Sequence, residues 1–134
     1  MASLAVAAVV ISRGNAETLN QTLNALQLQT HPLEQVVVVE TGNSAECTEL
    51  ARSFGFAVIE SETDKQGLAI EAGLLALQGS PSWLWILHHD TAPEANALEQ
   101  LSRAAEISPS VAVIGPKLLD WDHPIQIRQL GITT

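Results

Sequence analysis

Five apolar residues, Trp83-Leu84-Trp85-Ile86-Leu87, run without a break into His88-His89-Asp90. An apolar run of this length, entered through Gly79-Ser80-Pro81-Ser82, is the pattern of a strand buried on both faces. Such strands belong to parallel sheets covered by helices. In an open parallel sheet, ligands bind just beyond the carboxyl ends of the strands. That rule makes His88, His89 and Asp90 candidate site residues.

The rest of the chain repeats the pattern. Residues 4–11 read as a buried strand, followed by the turn Ser12-Arg13-Gly14-Asn15. Asn15 is suited to cap a helix whose apolar face is Leu19, Leu23 and Leu26, and His31-Pro32 ends it. Residues 36–39 form a second apolar run, closing on Glu40-Thr41-Gly42-Asn43-Ser44. Asn43 and Glu46 have the spacing of a capping box, and Cys47, Leu50, Ala51 and Phe54 follow before Gly55 stops the helix. Residues 56–59 are a third strand, closing on Glu60 and the acidic loop Glu62–Asp64. Lys65-Gln66-Gly67 opens a helix over 68–77 that is apolar nearly all round, which predicts deep packing. After the fourth strand, Thr91-Ala92-Pro93-Glu94 reads as a helix start with Thr91 as cap, Leu98 and Leu101 inward, and an end before Pro109. A short strand over 111–114 and an edge strand over 125–130 complete the pattern.

Four alternations of strand and helix predict one α/β domain over residues 1–134, with a doubly wound, mainly parallel sheet. The expected strand order is 3-2-1-4, with helices on both faces and Glu40 and Asp90 on the same edge. Polar groups gather where these strands end: Ser12 and Arg13, Glu40, Glu60, and His88 to Asp90. Strand ends meet solvent and are polar for that reason alone, but convergence from separate strands favours a functional site.

Bulk properties exclude several classes. A formal charge of −9 argues against nucleic acid or an anionic membrane surface as partner. One cysteine, Cys47, excludes an internal disulfide and fits a reducing compartment. No apolar run approaches the roughly 20 residues of a membrane span. Residues 1–11 imitate a signal peptide but lack a basic leader and flow into the first strand and turn. No Gly-x-Gly-x-x-Gly follows the first strand, no Walker loop is present, and no nucleophile elbow accompanies the Ser, His and Asp residues.

The order Val9-Val10-Ile11-Ser12-Arg13, then Leu19, Leu23, Leu26 and Gln29-Thr30, then Val37-Val38-Val39-Glu40-Thr41-Gly42-Asn43-Ser44, resembles the amino-terminal half of family 2 glycosyltransferases. Gly67 at the third helix and Leu87-His88-His89-Asp90-Thr91 extend the resemblance, which runs from about residue 6 to 119. Within the family the chain looks most like the catalytic domain of large actinobacterial, membrane-associated members.

The resemblance implies a GT-A fold, a nucleoside diphosphate sugar as donor (a UDP-sugar first) and a divalent cation, Mn²⁺ or Mg²⁺. It implies that Ser12 and Arg13 border the nucleotide base, and that Glu40, where the family usually has Asp, accepts a hydrogen from it. Gly67 would let backbone approach the ribose and diphosphate, with Lys65 and His89 nearby. Asp90 matches the last Asp of the family's Asp-x-Asp metal motif, and His88 replaces the first. A neutral His ligates Mn²⁺, whereas Mg²⁺ prefers oxygen ligands. Negative charge grows on the departing diphosphate during transfer, and a cation stabilises it.

An inverting transferase also needs a base for the acceptor hydroxyl. In the family this carboxylate belongs to an acceptor-binding half, so the chain is expected to be the donor-binding half of a cytoplasmic or membrane-face enzyme, acting on a glycan or lipid-linked acceptor. Self-association through a carboxyl-terminal edge carrying Leu118, Leu119, Ile125 and Ile127 is the matching expectation. Trp83 and Trp85 read as core residues, and Asp120, Asp122 and His123 as a solvated loop. A non-catalytic binding or scaffold domain and a nucleotidyltransferase are the competing readings.

Overall fold

Strand β1 (Val6–Ser12) is buried along its whole length, and the molecule is laid out around it. The structure is a computed structural model that describes residues 5–79, 81–107, 117–119 and 127–130. β1 pairs on one side with β2 (Gln35–Glu40) and on the other with β4 (Trp83–His88). β3 (Ala57–Glu60) pairs with β2, and all three pairings are parallel. The sheet order is 3-2-1-4, as the alternation of strand and helix predicts.

Two-residue periodicity divides the apolar side chains between two faces. Ala8, Val10, Val36 and Val38 meet Leu19, Leu23 and Leu26 of α1 (Ala16–Gln27) and Cys47 and Ala51 of α2 (Ala45–Ser53). Val9, Ile11, Val37 and Val39 meet Ala69 of α3 (Gln66–Ala76). Helices therefore cover both faces of the β1–β2 pair. Each fully buried Leu or Val contributes about 1.5–3 kcal/mol, so this pair carries much of the stability.

Local signals account for several helix ends. The Asn15 side chain accepts a bond from Thr18 N–H, as expected of a cap. Gly55, at φ 82°, ends the turn after α2 in a conformation that suits glycine. The second cap differs from expectation. Ser44 caps α2 by accepting from Cys47 N–H, while Asn43 takes φ 53° in the turn before it.

Three expectations of packing are corrected. β4 is not buried on both faces: only Leu87 is buried, and Ile86 is 41% exposed. Among the described residues β4 has one neighbour, so its outer side lacks the cover that β1 enjoys. α3 is not deeply packed all round. It seats Ala69 and Gly73 and leaves Leu68, Leu74 and Leu75 exposed. The fourth helix, α4 (Ala97–Ile107), starts later than Thr91. Thr91 instead turns its hydroxyl onto the His88 carbonyl, which removes it as a cap. Leu98 is buried, while Leu101 is half-buried.

Close approach explains the α3 contact. A Cβ on Gly73 would lie 2.6 Å from Val9 Cγ1 and 3.2 Å from Val39 Cγ2. Both valines are stiff at χ1 and held in the core. Gly73→Ala is therefore expected to lower stability by about 1 kcal/mol, because overpacking of about 1–3 kcal/mol outweighs the roughly 1 kcal/mol gain in helix propensity. Urea unfolding checks this, and an unchanged or raised midpoint would refute it.

Beyond α4, β5 (Lys117–Leu119) and β6 (Ile127–Leu130) form a separate antiparallel pair. The strand expected over 111–114 lies outside the described residues, as do Ile125 and the Asp120, Asp122 and His123 loop. The side chains of Leu118, Leu119 and Ile127 lie outside them too. No helix among the described residues is long and apolar enough to cross a membrane.

Candidate functional site

The parallel sheet brings the ends of β1, β2, β3 and β4 to one edge, and the loops after β1 and β2 are joined there. Ser12 and Glu40 are partners across the β1–β2 register. Ser12 Oγ donates to Glu40 Oε2 at 2.8 Å, and Gly42 N–H donates to Glu40 Oε1 at 2.7 Å. Thr41 adds two bonds to the Ser12 carbonyl, one from its amide and one from its hydroxyl, both at 2.8 Å. Glu40 is 1% exposed, with both carboxylate oxygens engaged. Contact between Glu40 and a nucleobase would require one of these bonds to be exchanged.

Cys47 lies against the same buried group. Burial pushes its thiol up, and the nearby Glu40 carboxylate adds to that. A thiol held protonated is a poor nucleophile and a poor metal ligand, so Cys47 is core.

A cleft of about 590 Å³ opens on this edge. Arg13, Thr41 and Gly42 line one side, and residues 62–65 with Leu68 line the other. The cationic Arg13 and Lys65 thus share one cleft with the carboxylates of Glu62 and Asp64. Lys65 is also the N-cap position of α3 and makes no side-chain cap bond, so the amino end of that helix opens on the cleft. Such an end favours negative charge. Gly67 follows in the first turn, where an added Cβ would meet nothing within 4 Å. The fold itself has no need of a glycine there.

His88 and Asp90 stand on the other side of β1, at the end of β4. Ile11 and His88 are register partners, and His89 N–H continues the ladder by donating to the Ile11 carbonyl at 2.9 Å. Asp90 is exposed and His88 half-buried. His89 turns toward α1, its Nδ1 2.9 Å from Thr18 Oγ1, on the face opposite α3. The structure therefore groups Arg13 and Lys65 in the cleft, braces Ser12 against Glu40, and engages His89 with a helix.

No group of three or more His, Cys, Asp or Glu among the described residues could hold a metal ion on protein ligands alone. Asp90 offers one exposed carboxylate beyond the end of β4, two residues after His88. A hard cation often takes one or two protein ligands and completes its shell with substrate phosphates and water.

Two contributors escape a reading of sequence. Thr22 is a buried hydroxyl on the apolar stripe of α1, between Leu19 and Leu26. A polar residue in such a stripe is the available signal. Gly42 has an ordinary φ, and its necessity comes only from contact: a Cβ there would lie 2.7 Å from Arg13 C and from Gly14 N.

Comparison with known proteins adds the following. The profile of Glycosyl transferase family 2 matches residues 7–121. No curated protein gives a match. Among solved structures, the mannosyltransferase PcManGT from Pyrobaculum calidifontis, in complex with GDP-Man and Mn²⁺, is 18% identical with a TM-score of 0.65. That match covers 79% of this chain and 32% of the mannosyltransferase. TarS 1-349 from S. aureus in complex with UDP is 16% identical with a TM-score of 0.64, over 91% of this chain and 44% of that one. A nucleotidyl transferase from Methanothermobacter, Mth528, is 15% identical with a TM-score of 0.58, over 76% and 57%. At these identities the likeness is one of fold. The chain spans about a third of the length of the mannosyltransferase and less than half of that of TarS 1-349.

Proposed function

The chain belongs to Glycosyl transferase family 2, and on that premise we propose that it is the donor-binding part of a GT-A glycosyltransferase, transferring sugar from a nucleoside diphosphate to an acceptor hydroxyl with inversion. The observation that carries this reading is the cleft at the carboxyl edge, where Arg13 and Lys65 are balanced by Glu62 and Asp64 and the amino end of α3 adds the surplus of positive potential. A diphosphate is the ligand chemistry that such a cleft accommodates. Gly67 leaves room for it, and the braced loop Thr41–Gly42 forms the wall beside it.

In this reading Ser12 and Glu40 act from behind the wall, holding the loops that border the base. Asp90 and His88 hold a divalent cation together with the diphosphate, and when bound the cation offsets the charge that grows on the leaving group. His89 fixes α1 behind them. The base that takes the acceptor's proton lies outside the described residues. The donor is a UDP-sugar by first choice; among the structural relatives, one is in complex with GDP-Man and another with UDP. The acceptor is a glycan or lipid-linked hydroxyl, and the site works on the cytoplasmic side. Self-association through the carboxyl-terminal edge belongs to the same proposal.

A second reading has one observation in its favour. The fold is shared with a nucleotidyl transferase, so fold alone does not choose between sugar transfer and nucleotidyl transfer. Calorimetry of UDP, GDP, CDP and ADP, each with and without Mn²⁺, tests the binding site. One nucleoside diphosphate is expected to bind more tightly with Mn²⁺, and no binding of any would remove the proposal. Product analysis decides the reaction: a nucleoside diphosphate released from a nucleotide sugar supports it, and pyrophosphate released from a triphosphate with sugar phosphate overturns it.

A further inference from the structure

Asp90 is the corner of a tight turn whose two flanks are tied to one buried hydroxyl. Thr91 N–H and Thr91 Oγ1 both donate to the His88 carbonyl, at 3.2 and 2.8 Å, which closes the turn across Asp90. The carbonyls on either side of Asp90 then converge on α1. Thr22 Oγ1 lies 2.8 Å from the His89 carbonyl and 2.5 Å from the Thr91 carbonyl. Thr22 is fully buried.

A threonine within a helix ordinarily returns its hydroxyl to the carbonyl four residues earlier. That contact is present here but longer, 3.2 Å to Thr18 O. One hydroxyl hydrogen cannot serve three carbonyls fully, and the shorter distances lie toward the turn. A second bond from the same helix, between Thr18 Oγ1 and His89 Nδ1, supports the same flank. The turn is thus held by α1 rather than by its own carboxylate, and Asp90 is left exposed.

We propose that Thr22 is a positioning residue that aims Asp90, its hydroxyl clamping the two carbonyls that flank it. This rests on the reading of Asp90 as a cation-holding group. Two matched pairs isolate the hydroxyl: wild type against Thr22→Val, and Thr22→Ser against Thr22→Ala. The first readout is hydrogen exchange at the Thr91 amide. Loss of the hydroxyl is expected to speed exchange about 10-fold in each pair. The second is the Mn²⁺-dependent gain in UDP or GDP affinity by calorimetry, which is expected to fall about 10–100-fold without the hydroxyl and to survive in Thr22→Ser.

Unchanged exchange on loss of the hydroxyl overturns the clamp. Equal losses in Thr22→Ser and Thr22→Ala also overturn it, since packing and not the hydroxyl would then be responsible. Faster exchange with an undiminished Mn²⁺ gain overturns the positioning role. Should Thr22→Val fail to fold, the Ser and Ala pair decides alone. If wild type shows no Mn²⁺ gain with either nucleotide, the cation reading of Asp90 fails and the positioning role falls with it, while the exchange result still decides the clamp.

Discussion

Asp90→Ala is expected to abolish the cation-dependent part of nucleoside diphosphate binding while leaving the fold intact. The carboxylate is exposed at the corner of its turn, and the bonds that shape that turn run through backbone carbonyls, Thr91 and Thr22. Removing the side chain therefore takes nothing from the core. Substitutions of groups that merely support a metal ligand typically cost 10–100-fold in metal affinity, so loss of a ligand should cost about 100-fold or more. His88→Asp should move in the opposite direction, adding a second hard oxygen donor and shifting preference from Mn²⁺ toward Mg²⁺. Calorimetry of UDP with each cation reads both effects. A metal-dependent gain in UDP affinity that is as large in Asp90→Ala as in wild type would mean that Asp90 is no ligand.

Gly42→Ala should be the most damaging single methyl at the site. Its Cβ would lie 2.7 Å from Arg13 C, 2.7 Å from Gly14 N and 2.9 Å from Arg13 O. All three are backbone atoms, so no rotamer change relieves the clash. The loop would have to retreat, and its anchor would go with it, because Gly42 N–H is the donor to Glu40 Oε1. Exchanging that bond for a half-satisfied buried carboxylate adds to the steric cost. A loss of about 3 kcal/mol is expected, or roughly 10 °C in Tm for a domain of this size. Nucleotide binding should weaken as well, since Arg13 and Gly42 line the same cleft. A thermal melt within a degree of wild type would show that the two loops are not packed as described.

The alternation of apolar runs and helices was enough to locate the four parallel strands, because each apolar run is bounded by polar or turn residues. Val36 to Val39, for instance, are followed by Glu40, the last residue of β2. Asn15 and Gly55 were legible for the same local reason. The exposed face of α3 was not. Ten residues that are mostly apolar look buried in any direction, and what decides the matter is the distance from Gly73 to Val9, a tertiary quantity. Thr91 has the form of a cap, but the His88 carbonyl competes for its hydroxyl and wins. Glu40 was legible as a polar group at a strand end from its position alone. That both its oxygens are already bound depends on Ser12, 28 residues earlier, and on the fold of its own loop. His89 was legible as a polar residue just past β4 and not as a partner of Thr18, because that contact spans 71 residues.

The pairing of β4 with β1 spans the greatest sequence separation in the four-stranded sheet. Val6 is the register partner of Trp83, so this contact closes a loop of more than half the chain. β1, β2 and β3 can associate through nearer partners as the chain leaves the ribosome, each with its own helix. Closing the longer loop is entropically more demanding, and topologies rich in such contacts fold slowly. Asp90 reaches the common edge only when that last strand docks. On the reading proposed above, the Ser12–Glu40 brace and the Arg13 side of the cleft need only β1 and β2, whereas Asp90 joins them through β4.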